Sequence, residues 1–577
     1  MNLLPVPRFV DLGDELTSNR VASERIDAAL PPEGYELHIS EDGAHIIAAD
    51  EAGRHYARAT LAQLARLSGG SIPIGLIRDH PDLPVRAVML DVSRDKVPSM
   101  ETLCDLIDRL AQWKVNQVQL YSEHTFAYQG HAEVHADASP VTADEILEID
   151  AFCRERHVEL VPNQNCLGHM NRWLKHERYQ SLAIEPDGFL DPWGIWHTAM
   201  TIDPANPESL ALVRELLAEL LPLFTSRRVN IGLDETWELP RERLGEYFEW
   251  VAKMRALPEL AGREVIIWGD MFSGDAELVA QVPDGVTVCE WGYDAEYPFD
   301  ERTAMLADAG IPFWVAPGTS SWLSIAGRIT NAKESCRHAA EAALAHGGVG
   351  FLNTDWGDGG HLQQQPISEP GLAYGAAVSW CLQTNADIDL AAALSAHAFD
   401  DPTGGLAEAL LTIGDAHRAV TPQIPNHSIL AMHLYFPPMR VGRGITRGMT
   451  AEELDTVKGL IADARAAVER CRPGRADAEL LVREMHWTAD VMDLMADDAH
   501  ARIAAGDTGT LGAVPEAQRR AFADRLNDLI ARHRELWLAR NRPGGLDDSM
   551  SWLENLRAAY LTGQPDPSWG GWPAKFT

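Results

Sequence analysis

Val229-Asn-Ile-Gly-Leu-Asp-Glu-Thr-Trp237 opens as a short apolar run with β-branched residues at Val229 and Ile231, and it stops on two adjacent carboxylates, Asp234 and Glu235, beside the ring of Trp237. A strand ending on paired acids and an aromatic suits a site that handles a sugar or another polyol. Met on its own, such a pair is more often a solvated strand end. The reading gains force because the chain repeats the layout. Strand-like runs fall at 86–91, 115–121, 158–162, 229–232, 264–268, 286–290, 311–315 and 348–353, with helix-like stretches such as 100–113, 142–157 and 209–224 between most of them. Eight strands alternating with helices imply parallel pairing and, at this length, an α/β fold of the (β/α)8 TIM-barrel type.

Each strand runs into polar or aromatic residues: Asp91 and Arg94 after the first, Glu123 and His124 after the second, Asn163, Asn165 and His169 at and after the third. Trp268 and Asp270, Glu290 and Trp291, Trp322, and Trp356 with Asp358 follow the fifth to eighth. In a barrel these ends converge on one mouth, where such folds do chemistry.

The barrel is assigned to residues 84–400. Before it, residues 1–83 read as a small N-terminal α+β domain, with paired strands at 34–40 and 44–49 and a helix over 52–67. After it, residues 401–577 read as a C-terminal α-helical domain, with a capping box at Thr450 and Glu453 opening one helix. Within it, Leu536–Ser549 carries a Pro-Gly-Gly stop. That stretch is either a packed loop with Arg540 and Arg542 paired to acids or a segment closing over the barrel mouth.

A chain of 577 residues calls for more than one core, and a net charge of −36 repels phosphate backbones and anionic membranes, so neither nucleic acid nor membrane is an expected partner. The start has no basic-then-apolar leader, and no run is apolar for long enough to cross a bilayer. Seven scattered cysteines without a CxxC pair argue against a disulfide framework or a structural zinc and suit reduced thiols in the cytoplasm. The helical C-terminal domain offers a surface for a homodimer.

Trp rings present flat apolar faces to the C–H faces of a sugar while carboxylates, Arg and His bond its hydroxyls; Trp268, Trp291, Trp322 and Trp356 all follow strands. Two carboxylates crowded in a dry pocket cannot both stay ionised cheaply, so one of them can serve as a proton donor. Adjacency suits substrate-assisted hydrolysis, in which the substrate's own acetamido oxygen attacks the anomeric carbon.

Over residues 30–400 the chain resembles the family 20 glycoside hydrolases, the β-N-acetylhexosaminidases. The resemblance rests on Arg86 in Val85–Arg94, on Gly168-His169, on Asp234-Glu235, on Trp268 and Trp291, and on Trp356-Gly-Asp358. It implies that Asp234 positions the acetamide, that Glu235 is acid and then base, and that Arg86 and Asp358 hold sugar hydroxyls. Glu123, His124, Asn165 and His169 join the substrate contacts. The function implied is exo-acting release of terminal β-linked GlcNAc or GalNAc with retention, without cofactor or metal. The chain departs from the family's pattern at Leu233, at Asn163 and Asn165, and in lacking a clear Tyr after the seventh strand. Trp322 stands there as a substitute donor to the acetamide oxygen. Two other readings compete: a non-catalytic glycan-binding barrel, and a divalent-metal enzyme using Asp234, Glu235, Asp270, Glu290 and Asp358.

Overall fold

A computed structural model of the chain describes residues 2–192, 194–506 and 509–565. Eight parallel strands close into a barrel: Val85–Asp91, Gln117–Ser122, Glu159–Gln164, Arg228–Asn230, Glu264–Trp268, Val286–Trp291, Phe313–Ala316 and Gly350–Asp355. The eighth pairs with the first over Gly350↔Val85 to Asp355↔Leu90. The fourth is held to the third by the single pair Asn230↔Asn163, because the chain leaves the sheet directly afterwards.

Both faces of these strands are apolar, as parallel strands covered by helices require. Val85, Ala87 and Met89 point inward with Ile266, Trp268, Cys289, Trp314 and Leu352. Val88 and Leu90 join the outer layer beneath the helices. Three helices in that layer carry side-chain N-caps: Ser99 on Met100–Gln112, a full Thr142/Glu145 capping box on Ala143–Arg154, and Asn206 on Pro207–Leu220.

The N-terminal unit is a five-stranded sheet with one helix, Glu51–Leu67, against it. The expected hairpin pairs Tyr35–Ser40 with Gly43–Ala48. Three further strands, Phe9–Ser18, Val21–Ile26 and Ser71–Asp79, complete the sheet; the first two are largely exposed and so lack the alternation that marks a half-buried strand. The sheet is fastened beneath the barrel by a buried cluster in which Lys114 Nζ lies 2.7 Å from Asp79 and the Trp380 indole donates to the same carboxylate at 2.9 Å.

Helices Ala451–Arg470, Ala478–Ala504, Glu516–Arg540 and Leu546–Thr562 form the C-terminal region. It packs on the barrel beside the mouth: Ser99 N–H donates to Arg540 O at 2.9 Å and Arg542 N–H to Val97 O at 2.9 Å. Within the 536–549 segment Arg540 makes two bonds to Glu484, at 2.6 and 2.7 Å, and Arg542 pairs with Glu145 at 2.8 Å. Arg540 and Arg542 are thus paired to acids as a packed loop requires, and at the rim of the mouth Asp548 lies 2.6 Å from Arg172.

Candidate active site

The fourth strand stops at Asn230, and the next residues turn sharply: Gly232, Leu233 and Glu235 have φ of 71°, 75° and 51°. This break lets neighbouring side chains, which on a regular strand would point to opposite faces, turn toward one cavity. The turn is held from three sides. Asn165 Oδ1 accepts Leu233 N–H at 3.2 Å, while Asn165 Nδ2 donates to Asp234 Oδ1 at 2.6 Å. Asp270 Oδ2 accepts Glu235 N–H at 2.9 Å. Glycine is required twice by close approach: a Cβ on Gly232 would lie 2.5 Å from Asn165 Cγ, and one on Gly168 would lie 2.3 Å from the Asp234 carbonyl oxygen.

His169, itself at φ 54°, joins the two acids. Its Nε2 lies 3.3 Å from Asp234 Oδ2 and 3.3 Å from Glu235 Oε2, shared between them, and its Nδ1 lies 3.4 Å from Glu123. Burial alone would strip the proton from this ring, but the Asp234 charge and the contacts with all three carboxylates hold its pKa well above the usual range. Burial also works against ionisation of Glu123, yet Arg94 and His169 hold that carboxyl down at about 2. Asp270 is pushed up to about 8 by burial and then by the charges of Asp234 and Glu235, and burial also raises Asp91, to about 6.

Around these groups stand the aromatics. Tyr121 packs edge-on against Trp356 at 4.7 Å, Trp268 lies 6.2 Å from Trp356, and Trp291 stacks on Tyr293 at 5.0 Å and 19°. Asp270 also accepts the Trp291 indole N–H at 3.2 Å. Tyr293, which follows the sixth strand and was given no role from sequence, stands at this mouth. Its hydroxyl oxygen accepts the Trp356 N–H at 2.8 Å. Trp322 belongs to the same wall, edge-on to Tyr293 at 5.1 Å, but its indole N–H is committed to Asn426 at 3.1 Å. The Trp322 indole N–H is therefore already engaged and not free for the amide-oxygen role expected of it.

Arg86 is a second correction. It sits at the amino end of the first strand on the outward parity, roughly 16 Å of strand from the mouth at about 3.3 Å per residue. There its guanidinium donates to Leu83 O at 2.8 Å and Lys114 O at 2.9 Å and pairs with Glu33 at 2.7 Å. The cation at the mouth is Arg94, three residues past Asp91, within 3.0 Å of Asp358, 3.2 Å of Asp91 and 3.5 Å of Glu123. Sequence reading had it among the strand-end residues but gave its role to Arg86. His124 is corrected as well. Fully buried, it bonds Asp95 at 2.8 Å, and Asp95 pairs with Arg172, so His124 supports the rim without facing the cavity.

The five acids weighed for a metal are spent elsewhere: Asp234 on Asn165 and His169, Glu235 on His169, Asp270 on two N–H groups, Glu290 on Tyr297, Asp358 on Arg94. Among the described residues, no group of three or more His, Cys, Asp or Glu side chains is arranged to hold a metal ion. Beside Glu235 opens a cavity of about 330 Å³ lined by Arg94, Glu123, His169, His197, Thr198 and Trp237 among others.

A model of the glycosyl hydrolase family 20 catalytic domain matches residues 84–344, and a model of the same family's domain 2 matches residues 10–80; together they cover more than half of the chain. A β-hexosaminidase of Akkermansia muciniphila is 26% identical over 264 residues, 41% of this chain and 53% of that protein. A β-hexosaminidase subunit beta of Entamoeba histolytica is 22% identical over 327 residues, 49% of this chain and 56% of that protein. The chain thus spans about half the length of these curated relatives. Among solved structures, an exo β-N-acetylglucosaminidase from Vibrio harveyi in complex with N-acetylglucosamine superposes with a TM-score of 0.56 at 19% identity, over 69% of this chain and 76% of that one. A β-N-acetylhexosaminidase from Streptomyces coelicolor gives 0.53 at 20%, over 68% and 95%. At such identities the superpositions speak to the fold, and it is the two domain matches, in order along the chain, that decide the family: the chain belongs to glycosyl hydrolase family 20.

Proposed function

We propose that the protein is an exo-acting glycoside hydrolase that removes terminal β-linked N-acetylhexosamine, GlcNAc or GalNAc, with retention and with the substrate's acetamide as nucleophile. The observation that carries this is the pair of carboxylates, Asp234 and Glu235, meeting at one His169 nitrogen at 3.3 Å each beside an aromatic-walled mouth. The β-hexosaminidase relatives point the same way.

Asp234, almost entirely buried, accepts the acetamide N–H and stays anionic as positive charge develops on that group. The Tyr293 hydroxyl donates to the acetamide oxygen and turns it toward the anomeric carbon. That oxygen forms a bond to C1 while the C1–O bond to the leaving group breaks, and Glu235, the more exposed of the two acids, gives its proton to the departing oxygen. Water then attacks C1 of the oxazolinium, losing its proton to Glu235, and the acetamide is regenerated. Two inversions at C1 leave the β configuration. Arg94 and Asp358 bind outer hydroxyls, and Trp268, Trp291 and Trp356 hold the ring faces. Because barrel side chains fill the space beneath the mouth, the reading is exo. The protein would act in a reducing compartment, the cytoplasm, a placement supported by seven unpaired cysteines.

The test is a panel of nitrophenyl β-glycosides of GlcNAc, GalNAc, glucose and galactose. Turnover of the acetamido sugars is expected; turnover confined to glucose or galactose would defeat the assignment.

A further inference from the structure

The loops after the seventh and eighth strands are strained. Ser320, Leu323 and Ile325 in the first, and His361 in the second, hold φ between 50° and 65° without being glycine. Such backbone persists only where its surroundings over-determine it. Here part of those surroundings is the C-terminal region. Ser428 N–H donates to Leu323 O at 3.1 Å, and Asn426 accepts the Trp322 indole N–H. On the eighth-strand loop Gly359 and Gly360, at φ 70° and 81°, directly follow Asp358. A Cβ on Gly359 would lie 2.8 Å from Tyr435 Cε1, and one on Gly360 would lie 2.6 Å from Trp552 Cδ1. The two rings meet edge-on at 5.4 Å. Tyr435 ends the short helix Met432–Tyr435 and Trp552 lies in Leu546–Thr562, so two separate pieces of the region close on one dipeptide. Further along the loop, buried Lys96 Nζ donates to His361 O at 3.0 Å and Gln363 O at 2.7 Å. The backbone just past Asp358 is thus pinned, while its carboxylate stays partly open and meets Arg94.

We propose that Tyr435 and Trp552 are positioning residues for sugar recognition: pressed on Gly359 and Gly360, they hold the Asp358 carboxylate where it accepts an outer hydroxyl of the terminal sugar. The inference rests on the reading of Asp358 as a hydroxyl acceptor. Hydrogen bonds are sensitive to placement, and tandem glycines give the loop no side chains of its own with which to hold a position. Arg94 alone does not fix the carboxylate, because that guanidinium is shared with Asp91 and Glu123. Burial and then the Asp358 charge raise the Tyr435 pKa, so the ring stands within electrostatic reach of that acid. The C-terminal region then acts in recognition through the backbone of a barrel loop.

The experiment measures kcat/KM on whichever nitrophenyl glycoside, of GlcNAc or GalNAc, is turned over faster, and on its 4-deoxy and 6-deoxy analogues. The poorer analogue marks the hydroxyl bound, with a penalty of about tenfold or more for a bond to a charged group. Asp358→Ala should erase that penalty. Trp552→Ala should shrink it at least threefold and raise KM on the parent glycoside, and Trp552→Phe should restore both. Tyr435→Leu gives a second reading should the Trp variant not fold, with the same shrinkage expected. A penalty that Asp358→Ala erases but that stays whole in both Trp552→Ala and Tyr435→Leu would overturn the positioning role alone. No penalty for either analogue, or one that survives Asp358→Ala, would overturn the reading of Asp358 and the proposal with it. Failure to cleave either acetamido glycoside would remove the hydrolase reading and the proposal together.

Discussion

Replacing Asp234 by Asn is the sharpest perturbation of this site, because it keeps the shape and removes the charge. The structure fixes how the amide must sit. Asn165 Nδ2 points at Oδ1 from 2.6 Å, so the new carbonyl oxygen takes that position, and the new NH2 then faces His169 Nε2, itself a donor, across 3.3 Å. The lost interaction is that of a carboxylate with the positive charge developing on the substrate's acetamide. For unit charges about 4 Å apart at an effective dielectric near 20 it amounts to about 4 kcal/mol, a loss on the order of a thousandfold in kcat/KM. The same charge is present in a thiazoline mimic of the intermediate, so its inhibition constant should rise by a comparable factor. A third readout is spectroscopic. Burial lowers the His169 pKa and Asp234 is the first charge that raises it, so in Asp234→Asn the imidazole should release its proton at lower pH in an NMR titration. A loss below tenfold on acetamido substrates, or a large loss with unchanged thiazoline binding, would refute the placement of Asp234 at the acetamide.

The corrected arginines separate stability from catalysis. Arg86→Met removes the guanidinium that pairs with Glu33 and empties four hydrogen bonds, so a destabilisation of about 3–5 kcal/mol is expected in denaturant melts with KM unmoved. Arg94→Lys should instead lower kcat/KM at least tenfold, since a single ammonium cannot span Asp91, Glu123 and Asp358. Glu123 gives a pH signature. Its folded pKa of about 2 lies below the ordinary 4.5, so its stabilising effect is complete above pH 4.5 and is lost as pH falls toward 2. That effect is on the order of 3 kcal/mol, and the wild-type thermal midpoint should drop more steeply than that of Glu123→Gln between pH 5 and pH 3.

The barrel was legible because its strands are apolar on both faces, so runs such as Glu264–Trp268 stand out from their helices, and because each run ends on residues a core would not hold. The acid pair was legible for the same reason. The strands Phe9–Ser18 and Val21–Ile26 were not, since exposed strands carry no burial pattern. Arg86 misled because its motif position took precedence over strand parity: counting back from inward Met89 puts Arg86 on the outer face and Asp91, with Arg94 just beyond, at the mouth. Tyr293 and His124 depended on what their polar atoms bond, Trp356 in one case and Asp95 in the other, and no spacing rule supplies such partners. His197 and Thr198, which line the cavity beside Glu235, lie on an excursion tied down by Glu238 through contacts between segments 37 and 38 residues apart.

The central claim is that a carboxylate pair hands the nucleophile's work to the substrate's own amide. Proton NMR of the first sugar released from nitrophenyl β-N-acetylglucosaminide, recorded before mutarotation, tests it most directly. The β anomer should appear first, and the matching glucoside, which has no amide, should stay intact. Initial release of the α anomer, or equal cleavage of the glucoside, would contradict the account.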